Sequence, residues 1–151
     1  MKCFATGVTI VTTAHDGAIH GFTVNAFASV TADPPTVLVC VNKTARAHPL
    51  ISESGAFCVN ILGLDQRAIA ETFTTAEPQE RFSGIAHRTG PTGSPILDGV
   101  LAYVDCEVQE EIVAGTHTIF IGKVLEAGDR PGAPLGYYDR KFRDFNLGGG
   151  P

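Results

Sequence analysis

GVTIVTTAHDGAIHGFTVNAFASV, residues 7–30, is the stretch from which the rest of the chain is read. Gly7 to Thr13 is dense in β-branched residues, whose side chains favour extended backbone, and predicts a strand. Asp16-Gly17 supplies a turn, because tight hairpins need positive φ and glycine reaches it without steric penalty. Ile19 to Asn25 returns as a second strand, antiparallel to the first. The segment Gly21 to Val30 then changes character. It begins as a strand and ends in small polar residues: Thr23, Asn25 and Ser29 carry hydrogen-bonding groups, while Ala26 and Ala28 add little bulk. Two readings stand for it. Either the strand bends at Ala26 and caps itself, or a planar, polar-edged ligand lies against this backbone.

Hairpins continue downstream. Thr36 to Val41 is an unbroken apolar run after Asp33-Pro34-Pro35 and predicts a strand buried on both faces. It ends in Asn42-Lys43-Thr44-Ala45-Arg46, followed by a brief helix from Pro49 that Gly55 stops. That turn either holds a phosphate through backbone amides, Thr44 and Arg46, or is a solvated loop. Phe57 to Leu62 is another strand, interrupted only by Asn60. Asp65 to Phe73 predicts a helix, with Asp65 as cap and Ala68, Ile69, Thr72 and Phe73 on adjoining turns. Thr74 to Arg88 is polar and irregular, a loop able to cover something, and Gly90 to Gly93 is a turn.

Ile96 to Ile112 predicts one long half-buried strand, with Ala102, Val104, Cys106 and Val108 inward and Asp105, Glu107 and Gln109 outward. Ala114-Gly115-Thr116 turns the chain, and His117 to Leu125 pairs back. Gly122 inside that strand marks a bulge or a close backbone approach. A last short strand begins at Leu135. Six or seven strands joined by hairpins, with two short helices, point to an antiparallel barrel or sandwich. No glycine fingerprint follows a strand into a long helix, which excludes a doubly wound dinucleotide fold.

Composition narrows the function. The 151 residues suit one domain, and the 44% apolar and 18% charged content is that of a globular chain. A net charge of −5 excludes a nucleic-acid backbone as main partner. No apolar run nears the ~20 residues of a membrane span, and the start of the chain shows no secretory signal, so the expectation is a cytoplasmic protein. Cys3, Cys40, Cys58 and Cys106 have no metal-knuckle or redox spacing, and the five histidines are dispersed; no metal is expected. The last three cysteines sit in apolar strand-like runs and read as buried structural thiols.

Four segments stand in the order and spacing of a known family: Phe4 to Thr13, His20 to Val30, Phe57 to Leu62, and Gly115 to Val124. The chain resembles flavin reductases of the two-component monooxygenase type, from about Cys3 to Phe145. That resemblance implies a mainly β fold, a split β-barrel of Greek-key, FMN-binding type with a few short helices, in one domain over residues 1–146. Residues 147–151 are expected to be a disordered tail. It further implies a homodimer that takes hydride from NADH or NADPH, reduces FMN or FAD, and supplies the reduced flavin to a separate monooxygenase.

By the same resemblance, Thr23, Val24, Asn25, Ala26 and Ser29 contact the flavin. The turn Cys40, Val41, Asn42, Lys43, Thr44, Ala45 and Arg46 contacts its phosphate, His117 stands beside the nicotinamide, and Phe82 and Phe142 lie where aromatics approach the nucleotide. The family pattern often has an aspartate before that histidine; here Thr116 takes its place. Positioning the two rings is the protein's main task. Amides and side chains of Asn25 to Ser29 are suited to the negative charge that grows on the flavin edge. His117 is assigned to orienting the nicotinamide amide by hydrogen bonding. Two alternatives remain at this stage: a flavin-binding electron carrier without NAD(P)H reductase activity, and an oxidase acting on a phosphorylated pyridine.

Overall fold

In the computed structural model, which describes residues 2–145, Asp16 and Gly17 both take positive φ, 49° and 76°. This is the backbone that a two-residue hairpin requires. It follows β1 (Thr6–Gly7) and joins β2 (Thr9–His15) to β3 (Ala18–Val24), paired from Thr9↔Val24 to His15↔Ala18. Next come β4 (Phe27–Ala32) and β5 (Pro35–Asn42), the helix α1 (Ala47–Ser54) and β6 (Ala56–Ile61). The helix α2 (Arg67–Thr75), β7 (His87–Thr89), β8 (Pro95–Leu97), β9 (Ala102–Ala114), β10 (His117–Asp129), β11 (Leu135–Tyr138) and β12 (Lys141–Asp144) complete the order.

Seven strands form the main sheet in the order β3-β2-β6-β9-β10-β5-β4. Its two outermost strands, β3 and β4, are consecutive in the chain and joined by Asn25 and Ala26 alone. In a flat sheet they would lie about 29 Å apart, six spacings of ~4.8 Å. Three Cα–Cα steps span at most about 11 Å. The sheet therefore rolls until its edges nearly meet, although no ladder closes them among the described residues. A hydrogen bond from the Cys40 amide to the Ala26 carbonyl, 3.0 Å, fastens the link to β5. The mainly β fold with few short helices is as expected.

Period-two alternation explains the core. On β2, Val11 enters one cluster with Val39, Phe57, Val59 and Phe120, while Ile10 enters another with Leu62, Phe73, Leu97 and Leu135. Burying each such side chain contributes about 1.5–3 kcal/mol. Asn60, fully buried between them, has its amide donating to the Ile10 carbonyl and its oxygen accepting from Leu97 N–H. Gly122 is both bulge and close approach: the register shifts beside it, and an added Cβ would stand 2.6 Å from Phe57 Cζ. Helix α1 ends as read, at Gly55 in the left-handed region with its N–H on the Ile51 carbonyl.

Several local expectations are corrected. Strand β5 is buried on one face only: Val37, Val39 and Val41 point inward, while Leu38 and Cys40 are half-buried and face cavities. The stretch Ile96 to Ile112 is broken into β8 and β9 by a turn at Asp98-Gly99. Asp105 is not solvent-facing but fully buried, because the N–H and hydroxyl of Thr92 donate to its two oxygens, at 2.9 and 2.6 Å. Asp65 does not cap α2; it receives Arg130, and the helix buries Ala70 and Phe73 rather than Ala68. The expected tail at 147–151 lies outside the described residues.

Candidate functional site

Where the sheet edges approach, a cleft of about 970 Å³ opens. The end of β3 and the link supply Thr23, Val24, Asn25 and Ala26. Strand β5 supplies Cys40, Val41 and Asn42, the turn after it Ala45, and β10 its first residue, His117. Phe142 on β12 closes another side, packed against Tyr137 at 5.7 Å between ring centres. Ten of the residues singled out from sequence thus meet in one cavity from four separate strands, one link and one turn. His117 pairs across the sheet with Asn42 and is held by the hydroxyl of Thr116, 2.9 Å from Nδ1.

The turn after β5 is more tightly bound than its sequence suggests. Asn42 Oδ1 accepts both the amide and the hydroxyl of Thr44, each at 2.9 Å. The Lys43 amide donates to the Thr116 carbonyl and the Ala45 amide to the Asn42 carbonyl. Those three amides are committed within the protein and are not free to meet a ligand. Arg46 reaches a neighbouring pocket of about 290 Å³, where it meets Arg81 and His20. Arg81 is fixed there by bonds to the Gly21 and Ala76 carbonyls. Burial lowers its pKa, with Glu77 opposing the shift and Arg46 adding to it. Two guanidiniums crowded in this way favour an anion between them.

Not every predicted residue lines the cleft. Ser29 is exposed on β4, and Lys43 and Thr44 stand outside the lining. Phe82 packs edge-on against Phe73 at 5.1 Å, under the apolar side of α2. Phe27 N–H is committed to the Asn25 carbonyl, which removes one of the amides expected to face a ligand. Sequence reading missed Phe22, Arg67, Thr74, Tyr137, Arg140 and Lys141, which also line the cleft, and Arg81 beside it. The polar irregular loop carrying Arg81 was the one available signal; α2 and the last hairpin gave none.

Cys58 and Cys106 are buried, and burial with the nearby Asp105 pushes the Cys106 thiol up to about 12 and Cys58 higher still. Cys40 differs, since it is half-buried and lines the cleft. No group of three or more metal-ligating side chains is found among the described residues, and no helix among them is long and apolar enough to cross a membrane.

Comparison with known proteins bears on this arrangement. A family model described as flavin reductase like domain matches residues 1–146. The chain is 43% identical, over 94% of its length and 76% of the relative's, to the reductase component of 4-nitrophenol 4-monooxygenase/4-nitrocatechol 2-monooxygenase from Rhodococcus opacus. It is 40% identical, over 94% of its length and 83% of the relative's, to the FMN reductase (NADH) RutF of Stutzerimonas stutzeri. The structure of the Streptomyces globisporus C-1027 NADH:FAD oxidoreductase SgcE6, in complex with NAD and FAD fragments, superposes with a TM-score of 0.91 at 32% identity. That match covers 97% of this chain and 89% of the other.

Proposed function

The chain belongs to the flavin reductase-like family, and from that premise we propose that it oxidises NADH to reduce FMN or FAD, supplying reduced flavin to a separate monooxygenase. The observation that carries the reading is the joining of His117, the Thr23–Ala26 edge and several cations in one cleft with no carboxylate in its lining. Such a cavity fits planar, anionic nucleotides: apolar floor, polar edge, positive rim.

When both nucleotides are bound, the nicotinamide supplies a hydride that the flavin ring accepts. The chain's own residues position and stabilise. Asn25 and its neighbours offer hydrogen-bonding groups to the flavin edge where negative charge grows. Arg46 and Arg81 hold its phosphate, since arginine can meet two phosphate oxygens at once. His117, tethered at Nδ1, presents Nε2 to the nicotinamide amide and thereby orients the donor ring.

We read the protein as a cytoplasmic homodimer. The half-buried outer face of β5, with Leu38 and Cys40, adjoins the edge strand β4 and its exposed Val30. An apolar cavity of about 580 Å³ there is lined by Phe4, Phe27, Ala28 and Leu38 and shares Asn25, Ala26, Cys40, Tyr137 and Arg140 with the cleft. A second copy laid on this face would cover both the apolar patch and the open strand edge.

The test is anaerobic turnover of excess FMN or FAD with NADH or NADPH, followed by bleaching of oxidised flavin. Many turnovers per protein are expected, with the faster flavin and donor identifying the pair used. A flavin that binds and is never reduced by either donor removes the reductase reading and leaves that of an electron carrier.

A further inference from the structure

The chain carries 16 acidic and 11 basic residues, yet the cleft lining contains Arg67, Arg140 and Lys141 and no Asp or Glu. Chance placement would give an acidic excess, so the local sign is reversed. These three cations come from α2 and the β11–β12 hairpin, elements distinct from the one that carries Arg46. Arg67 is braced: its Nε donates to Glu71 at 2.9 Å, and its guanidinium carbon lies 5.7 Å from the centre of the Phe142 ring.

Arg140 is the stronger sign. It stands at φ 61° in a two-residue hairpin turn whose other member, Asp139, has φ 50°. Glycine or asparagine fills such a position with less strain. An arginine there runs against local preference, and neither it nor Lys141 joins any of the ion pairs formed among the described residues. Arg140 lines both the cleft and the adjoining apolar cavity, whereas Asp139 beside it lines that cavity alone.

We propose that Arg67, Arg140 and Lys141 form a wall that binds the pyrophosphate of a dinucleotide. The proposal rests on the flavin reductase reading, in which Arg46 and Arg81 already serve the single phosphate common to both flavins. A second cationic surface in the same cleft then calls for further phosphate charge. Two ligands offer a pyrophosphate, the nicotinamide donor and FAD; FMN offers none.

The experiment compares the unsubstituted protein with an Arg140→Gly/Lys141→Gln variant, in which the glycine also relieves the backbone and so protects folding. Dissociation constants for FAD and FMN are measured by fluorescence quenching. With FMN as acceptor, KM is measured for NADH and for 1-benzyl-1,4-dihydronicotinamide, a donor without phosphate. A rise of about tenfold in KM for NADH, with the phosphate-free donor moving less than twofold, supports the wall and assigns it to the donor. A rise of about tenfold in the FAD constant with FMN unchanged supports it and assigns it to the flavin. Constants all within twofold of wild type overturn it, as does an FMN affinity that falls as far as that of FAD. If the wild-type protein oxidises neither donor, the reductase reading fails, and the comparison of FAD with FMN still decides the wall.

Discussion

The hydroxyl of Thr116 lies 2.9 Å from Nδ1 of His117, so the turn between β9 and β10 ties down the imidazole by its own residue. The tether is neutral, and it leaves Nε2 as the ring nitrogen open to a ligand. Replacing Thr116 with Val removes a hydrogen bond of about 0.5–1.5 kcal/mol, a factor of roughly 2–10 in binding. KM for NADH should rise by that factor while flavin affinity stays constant, and His117→Ala should raise it further. Steady-state kinetics of both variants decide; a Thr116→Val enzyme equal to wild type beside an impaired His117→Ala would show that the tether does nothing.

Arg46 reaches its pocket with no ion pair of its own among the described residues. Arg46→Ala should weaken FMN about tenfold, the loss of one charge-assisted contact. Riboflavin, which lacks the phosphate, should bind both proteins alike. Equal weakening of FMN and riboflavin in a fluorescence titration would move the phosphate elsewhere.

Gly122 lies where two strands and an aromatic ring crowd the backbone: an added Cβ would be 2.6 Å from Phe57 Cζ and 2.8 Å from Cys106 Cβ. Gly122→Ala should cost about 2 kcal/mol through overpacking. For a chain of this size that is a fall of roughly 4–8 °C in Tm. An unchanged melting curve would mean that Phe57 swings aside freely.

Asp105 is fully buried, and that burial raises its pKa against the lowering effect of the Thr92 hydrogen bonds. A carboxyl more protonated in the fold than in the unfolded chain contributes most at low pH. The contribution declines as pH rises from the ordinary aspartate value through the raised folded one. Asn at this position cannot ionise. The Tm of wild type minus that of Asp105→Asn should therefore fall as pH is raised across that window. Thermal melts at a series of pH values test it, and a constant difference would refute the ionisation argument.

Much of this was legible in the chain because the signals are local. Asp16-Gly17 demands its hairpin, Gly55 ends its helix, and Gly122 announces crowding whatever the fold. The segment Thr23–Ala26 and His117, singled out by the matched motifs, meet in one cleft. What was not legible depends on distant partners. Asp105 follows the outward parity of its strand, and only the Thr92 turn, thirteen residues earlier, makes its burial tolerable. Phe82 was placed near the nucleotide by the resemblance alone, and in the fold it packs against Phe73 on α2. Arg67 and Arg140 look like solvated charges until the last hairpin is folded against the cleft.

The link Asn25-Ala26 joins the two edges of a rolled sheet without belonging to any ladder. A circular permutant opened at that peptide would therefore keep every strand pairing of the main sheet while losing the tie that holds its edges together. Strand content would survive, and the curl would rest on packing alone, with Val24 of β3 in one core cluster with Val37, Val39 and Val41 of β5. A ligand seated in the cleft, against the end of β3 on one side and β5 on the other, would then bridge strands that the chain itself no longer joins.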